Sequence, residues 1–547
     1  MLDVPALLTL ATLVLVYGCY AVGWLFWHLF KNKGGKSVAD SETVLFSGGP
    51  KPVRNVVFLG IAASQLFTPC MANEQIIWPG LNMVVMLISR VVAFLLCMFY
   101  WNHLAALRFR NVEEYLLKRF DSKLILFLTL LNRVMGLYYI WYVYMRTYDQ
   151  FRLFNVKSLV SFVHITCAFS TLASLGGMNV VLMGCVLLWL VSTSGEILLM
   201  HKTFPYMFRN SSLLSLKVDP CYSLYGPNCL LMIFGQFLTV QPIFNVFQAA
   251  NSVWEANIAM CIGLFLAVIN TLVTMCYTNG LLTYALREGV EPYNAVHTMF
   301  GYIFKRAELF VPRFPSKSQL EKAYEQVLIP YKHFFVLLGP YVSNTIAFYL
   351  LQMQALSMHT YLHILPNWLR AGLVTDGREL HMTFTALFIL TAYLTIVLLI
   401  YSVSATATEH AVRFYHLFQP FVSGMLIIPV TCYVVLGPIC SDLWSIPAVV
   451  VSVTATFAGV IFATQSVNSL QQTCTAHWFP TVLFLLTFLG NLIMAAVLRP
   501  PRFITPSLLF KYHLKLRRKN EKTRTTSILS LAVGQRTGRS SFRLGMA

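Results

Sequence analysis

The sequence predicts an all-α polytopic membrane protein with about thirteen transmembrane helices. Three observations predict it. The chain has 547 residues, of which 57% are hydrophobic and only 11% charged, and its mean hydropathy is +0.65. A soluble chain of this length carries far more charge. The apolar residues are also grouped into blocks, such as Leu7 to Phe30 and Phe479 to Leu498, that hold no charge. About twenty such residues at a rise of about 1.5 Å cross a hydrocarbon layer of about 30 Å. Backbone polar groups inside lipid must be satisfied within the segment, so these blocks are helices.

The expected spans lie near 5–29, 54–77, 81–106, 122–149, 157–174, 179–200, 227–249, 256–286, 331–358, 380–402, 412–436, 445–465 and 477–498. The first has no basic n-region and no small-residue cleavage site, so it reads as a retained helix and not as a signal peptide. Residues 1–52 hold span 1 and a cytoplasmic loop. Residues 53–437 form the core, divided into a first repeat at 53–200 and a second at 226–437, with a long extracellular loop at 288–330. Two accessory spans occupy 438–499, and 500–547 reads as a basic disordered cytoplasmic tail.

The net charge of +19 raises nucleic acid as a partner, but the placement of the charge excludes it. Basic residues cluster in short loops, at Lys31, Lys33, Lys36, Lys51 and Arg54, and at Arg108, Arg110, Lys118, Arg119 and Lys123. They cluster again in the tail, from Lys511 to Arg524. The positive-inside rule then puts the N-terminus outside and the C-terminus in the cytoplasm of a plasma-membrane protein. The tail is expected beside anionic inner-leaflet lipid. The loop from Glu288 to Pro330 opposes this topology, because it is basic yet falls outside. Asn210-Ser211-Ser212, the one glycosylation sequon of the chain, falls on an expected outer loop. Cys221 and Cys229 flank another polar stretch. They form either a local disulfide or two unrelated thiols near helix ends.

Two spans carry a proline with polar company. Span 2 reads Ala62-Ala63-Ser64-Gln65-Leu66-Phe67-Thr68-Pro69, and span 7 reads Gln236-Phe237-Leu238-Thr239-Val240-Gln241-Pro242-Ile243-Phe244-Asn245. Proline removes an N–H and crowds the preceding turn. A kink in a packed helix is the simple reading of one such site. Spans 2–6 and 7–11, however, are two sets of five, so the second set enters from the opposite side. Interruptions at corresponding positions of two inverted halves point to a midplane solute site. Its expected residues are Gln65, Thr68, Gln241 and Asn245, joined by Arg90, a cation deep in span 3. Arg90 and Arg133 have two readings, as recognition of an anionic solute or as structural groups, with Glu74 and Glu196 as ion-pair candidates. Trp78, Trp101, Trp141 and Trp254 fall near span ends and are expected at the membrane interface.

Several stretches resemble the sodium/solute symporter family, and in particular its animal monocarboxylate, iodide and multivitamin branch. Glu114-Tyr115-Leu116-Leu117-Lys118-Arg119-Phe120 is similar to the family's EYLxxRF. Thr171 to Val181, with Gly176-Gly177, resembles TxxGGxxAV. Gly280-Leu281-Leu282-Thr283-Tyr284-Ala285 with Gly289 and Pro292 resembles GLxxYAxxxGxxP, and Ser47-Gly48-Gly49 sits at the family's GGR. The resemblance implies a five-plus-five, leucine-transporter-like inverted-repeat core with broken helices 2 and 7. It also implies a secondary carrier for a small anionic solute, with sodium as coupling ion. The family's sodium site would fall on the Ala62 and Ala63 carbonyls and on the span 9 hydroxyl pair. Counted from Gly339-Pro340, that pair is replaced by Gln354-Ala355, with Ser357 one turn on. A non-transporting sensor, an uncoupled uniporter and a channel stay open as alternatives. An enzyme is disfavoured, because no HExxH, GxSxG or paired-carboxylate pattern occurs.

Overall fold

A computed structural model of the chain describes chiefly residues 4–31, 55–71, 81–107, 159–206, 241–287, 342–365, 367–374 and 376–401, with scattered single positions between them. Every regular element among these residues is helical. Ten helices are labelled in chain order. They are α1 (Val4–Lys31), α2 (Val56–Met71), α3 (Leu81–Ala106), α4 (Leu159–Ser174), α5 (Met178–Thr203), α6 (Gln241–Ala249), α7 (Val253–Arg287), α8 (Asn344–His359), α9 (Asn367–Leu373) and α10 (Gly377–Tyr401). A 3₁₀ turn, Phe204–Tyr206, follows α5, and a π turn, Thr360–Ile364, continues α8.

Within α3, α5, α7 and α10, the segments Leu87–Ala106, Met178–Leu198, Val253–Val273 and Gly377–Val397 are each long and apolar enough to cross a membrane. The chain is an integral membrane protein of the helical class. Spans 4 and 11–13, the loop 288–330 and the tail lie largely outside the described residues. The expected interval between spans 9 and 10, residues 359–379, contains a feature that hydropathy does not show, the π turn followed by α9.

Local signals set the helix starts. Asn55 Oδ1 accepts the Val57 N–H at 3.1 Å and begins α2. Ser252 Oγ accepts the Glu255 N–H at 3.2 Å, a Ser-x-x-Glu start for α7. Asp376 Oδ1 accepts the N–H groups of Arg378 and Glu379 at 2.8 and 2.9 Å and begins α10.

At the centre lies α8, whose sixteen residues are all buried. It packs against α2, α4, α5, α6 and α10. α2 packs against α5, α6, α7 and α8. Its seam with α7 is the most extensive, and small residues make it. A Cβ added to Gly263 would stand 2.6 Å from Ala63 Cβ and 2.9 Å from the Gly60 carbonyl oxygen, and one added to Gly60 would meet Ile262 Cγ2 at 2.7 Å. In lipid, where helices gain little from hiding apolar surface from each other, close backbone approach supplies the contact.

Candidate functional site

The two proline segments meet. Phe67, next to Thr68-Pro69, stacks edge-on with Phe94 of α3 at 5.3 Å and with Phe237 at 5.2 Å. Phe94 continues to Trp101 at 6.0 Å, and Trp101 to Phe247 of α6 at 6.1 Å. This aromatic cluster gathers α2, α3 and α6. It also corrects the interfacial reading of Trp101, which is fully buried, whereas Trp254 is 73% exposed, as an anchor should be. Arg90 lies one turn before Phe94 on the same face of α3 and is buried. The lipid side of that helix is carried by Ile88, Leu95 and Phe99.

The expected break of helix 2 at Thr68-Pro69 is not seen, since α2 runs without interruption from Val56 to Met71. The Ala62 and Ala63 carbonyls therefore stand in the helical ladder, and both residues are fully buried. Pro69 has an N–H missing, and the carbonyl that loses its helical donor is that of Gln65, four residues back. Gln65 is buried, and its side-chain Oε1 has no hydrogen-bond partner among the described residues. Gln65 thus presents both a released backbone oxygen and an unpaired amide oxygen. At the second proline, α6 begins at Gln241, with Pro242 in its first turn, where no N–H is required. Asn245 is buried one turn into α6.

Gln354, on α8, is held by a long-range contact. Its Nε2 donates to the Leu45 carbonyl at 2.8 Å, while its Oε1 stays unpartnered among the described residues. Ser357 is buried, and its hydroxyl donates to the Met353 carbonyl at 2.7 Å. Leu45 is pressed onto the Gly176-Gly177 junction between α4 and α5. Gly177 has φ 63° and ψ −150°, a region open essentially to glycine alone. A Cβ there would stand 3.1 Å from the Leu45 carbonyl oxygen. The junction is tied further by Tyr17 Oη, which donates to the Val180 carbonyl at 2.9 Å, and by Thr385 Oγ1, which donates to the Ser174 carbonyl at 3.1 Å. His381 Nε2 lies 2.8 Å from the Leu175 carbonyl.

Sequence reasoning missed two buried polar residues beside these. Asn179, immediately after the Gly-Gly pair, has neither side-chain atom partnered among the described residues, and neither has Gln352 Nε2 on α8. The available signal was a lone amide inside an apolar block. Gln65, Asn179, Gln352 and Gln354 stand on α2, α5 and α8, three helices that pack on one another. Such neutral amide groups suit a solute with both donors and acceptors, and their oxygens suit a hard cation. Thr68 and Gln241 are described in backbone only. Asn210, Cys221, Cys229, Glu74, Arg133, Trp78 and Trp141 lie outside the described residues. The ion pair considered for Arg90 and Glu196 does not form, because Glu196 bonds Asn270 of α7 instead.

The architecture and the buried polar groups define a helical membrane protein with a central polar interior. No protein-family model and no curated protein matches the chain. Among solved structures it is similar to a Na+-coupled sialic acid symporter in a substrate-bound, outward-open state. The TM-score is 0.61 at 12% identity, over 90% of this chain and 99% of that one. It also aligns with a manganese transporter of Eremococcus coleocola at 14% identity, over 90% of this chain and 95% of that one, but the TM-score of 0.35 is too low to define a shared fold. The fold is therefore sodium-symporter-like. At this identity the likeness defines architecture, and neither solute nor ion.

Proposed function

We propose that the chain is a secondary active transporter that moves a small organic or inorganic anion across the plasma membrane by alternating access. The observation that carries this reading is the sodium-symporter-like fold across nine-tenths of the chain, and the neighbour's solute, sialic acid, is itself an organic anion. The two proline segments, gathered at the Phe67–Phe94–Phe237 cluster, would supply the solute site. Gln65, Thr68, Gln241 and Asn245 would offer hydrogen-bonding groups, and Arg90 the positive charge. The bilayer is the other partner, with anionic inner-leaflet lipid at the tail. No nucleic acid and no enzymatic step are involved. Asn210 would carry a glycan, and Cys221 and Cys229 a local disulfide, on the outer side. The inverted repeat of spans 2–6 and 7–11 belongs to the same proposal.

Sodium coupling would use the Ala62 and Ala63 carbonyls, Gln354 Oε1 and Ser357 Oγ. The Gln354 amide already holds the Leu45 carbonyl, and that specific contact favours a second reading, an uncoupled uniporter or a solute sensor of the same fold.

Uptake by the full chain in proteoliposomes, with a panel of sialic acid, lactate and iodide and with or without a sodium gradient, tests the reading. Saturable accumulation of one of these anions is expected. Binding without accumulation would establish the sensor instead. The paired substitution Gln354→Ser/Ala355→Ser is expected to create or strengthen a sodium effect. If the sodium response stays as in wild type, the assigned register of span 9 is wrong.

A further inference from the structure

The apolar block of α5 is interrupted at Ser192-Thr193-Ser194-Gly195-Glu196. Glu196 falls inside the membrane-crossing part of that helix and is 4% exposed. Its side-chain partner is Asn270 of α7, also buried, whose amide, turned to satisfy both groups, donates to both carboxyl oxygens. Among the described residues no cation joins this pair.

Buried carboxylates are kept where a positive charge compensates them, and acidic groups inside a span are costly unless they serve a pathway. A neutral amide provides hydrogen bonds but no charge. Among the described side chains, the elements packed on α5 add none. The titratable ones, Tyr17, Cys19 and Tyr20 of α1, Cys167 of α4, Glu255 and Cys261 of α7 and Tyr349 and His359 of α8, show no bond to Glu196, and none of the described side chains of α2 is titratable. A second observation comes from Ser192, one turn earlier on the same face. Ser170, Thr271, Ser357 and Thr395 all donate to the carbonyl four residues back. Ser192 is equally buried, yet its hydroxyl has no partner among the described residues. The α5–α7 contact thus holds a carboxyl group, an amide and a spare hydroxyl, with the positive charge still to be supplied.

We propose that this site binds a proton, taken by the Glu196 carboxylate from water on one side of the membrane and returned to water on the other. The step is a simple protonation, in which carboxylate and hydronium give carboxylic acid and water. Sodium fits less well, since hard cations require several oxygen ligands and the Asn270 amide already covers both carboxyl oxygens. α7 is packed backbone-to-backbone on α2 through Gly60 and Gly263, and α2 carries Gln65. Whatever lets water reach Glu196 by parting α5 from α7 must therefore move against, or together with, the helix of the proposed solute site. Proton and anion would then cross as an electroneutral pair. This coupling rests on the transport reading above; the proton site itself does not.

Infrared difference spectroscopy on the full chain in lipid, across a pH titration, reads the site directly. Wild type is expected to show a carboxylic-acid C=O band that appears and disappears with pH. Glu196→Gln should lose it and remain folded, because glutamine keeps the contact with Asn270. Asn270→Ala should move the band to higher wavenumber, since the carbonyl loses its donor. Identical difference spectra for wild type and Glu196→Gln would overturn the proposal, and so would a band abolished by sodium at constant pH, which would make the site a sodium site. In proteoliposomes, a gradient of one pH unit supports up to about tenfold accumulation of an anion that crosses with one proton. Glu196→Gln is expected to abolish this accumulation. A titrating band with no uptake of any anion would uphold the proton site and refute the transport reading.

Discussion

At its N-terminal end the backbone around α5 is anchored by long-range side-chain bonds, whereas near its other end Glu196 holds a single amide. At the first, Gly177 receives Leu45 against its bare Cα, Gln354 fixes the Leu45 carbonyl, and Tyr17 fixes that of Val180. At the second, a carboxyl group bonds Asn270 and a neighbouring hydroxyl has no hydrogen-bond partner among the described residues. Both regions are polar and buried inside a membrane helix bundle, so burial alone does not separate a structural anchor from a site. What the groups hold does. At Gly177 side chains bond the backbone carbonyls of Leu45 and Val180, which fixes the packing, while the Asn179 amide and Gln354 Oε1 beside them stay without a partner among the described residues. Where groups are left over, the protein keeps the desolvation cost, and a ligand is the natural compensation.

Breaking the anchored end should have the largest effect. Gly177→Val forces a branched side chain into a backbone region that only glycine adopts freely and pushes its methyl groups into Leu45. Strain and overpacking together predict a loss of roughly 2–5 kcal/mol. Thermal unfolding in detergent checks it, and a variant as stable as wild type would show that the α4–α5 junction is not under this constraint.

Gln354→Leu should have the next largest effect. The volume is nearly kept, but the buried Leu45 carbonyl loses its donor, for an expected loss of about 1–3 kcal/mol. Comparing Gln354→Leu with Gly177→Val sharpens the contrast further, because the two act on the same segment. If Leu45 is the shared element, the losses will not add. Full additivity would separate the two contacts and weaken the picture of one knot.

The long helices among the described residues were legible in the sequence, and most of their contacts were not. α3 occupies the expected interval, and α5, α7 and α10 begin and end within a few residues of theirs, because twenty-residue apolar blocks are dictated by bilayer thickness. The inner and outer faces were hidden. In water a helix shows its buried side by amphipathicity, but in lipid both sides are apolar. Phe94 and Phe99 look alike in sequence, yet one is sealed in the aromatic cluster and the other faces outward. Trp101 was misread for the same reason. The Gln354–Leu45 bond spans 309 positions, and no local pattern announces it. The prolines of α2 and α6 were visible, and so was their company. What only the structure could supply is that α2 keeps its helical path past Pro69, which shifts the released carbonyl to Gln65.

Ser192→Ala probes the unsaturated end and should have the smallest effect on stability. Removing a buried hydroxyl that has a partner commonly costs about 1 kcal/mol, whereas removing one without a partner costs nothing or stabilises. Thr271→Ala supplies the matched comparison on the facing helix, because its hydroxyl does donate, to the Ala267 carbonyl at 2.7 Å. Ser192→Ala is expected within about 0.5 kcal/mol of wild type, and Thr271→Ala below it. The carboxyl band of Glu196 should nonetheless change shape in Ser192→Ala, since the hydroxyl is a polar neighbour one turn away on the same helix face. A loss as large as that of Thr271→Ala would mean that Ser192 is structurally bonded after all. The polar patch between α5 and α7 would then be anchored like the backbone at Gly177, and the contrast between the two ends of α5 would disappear.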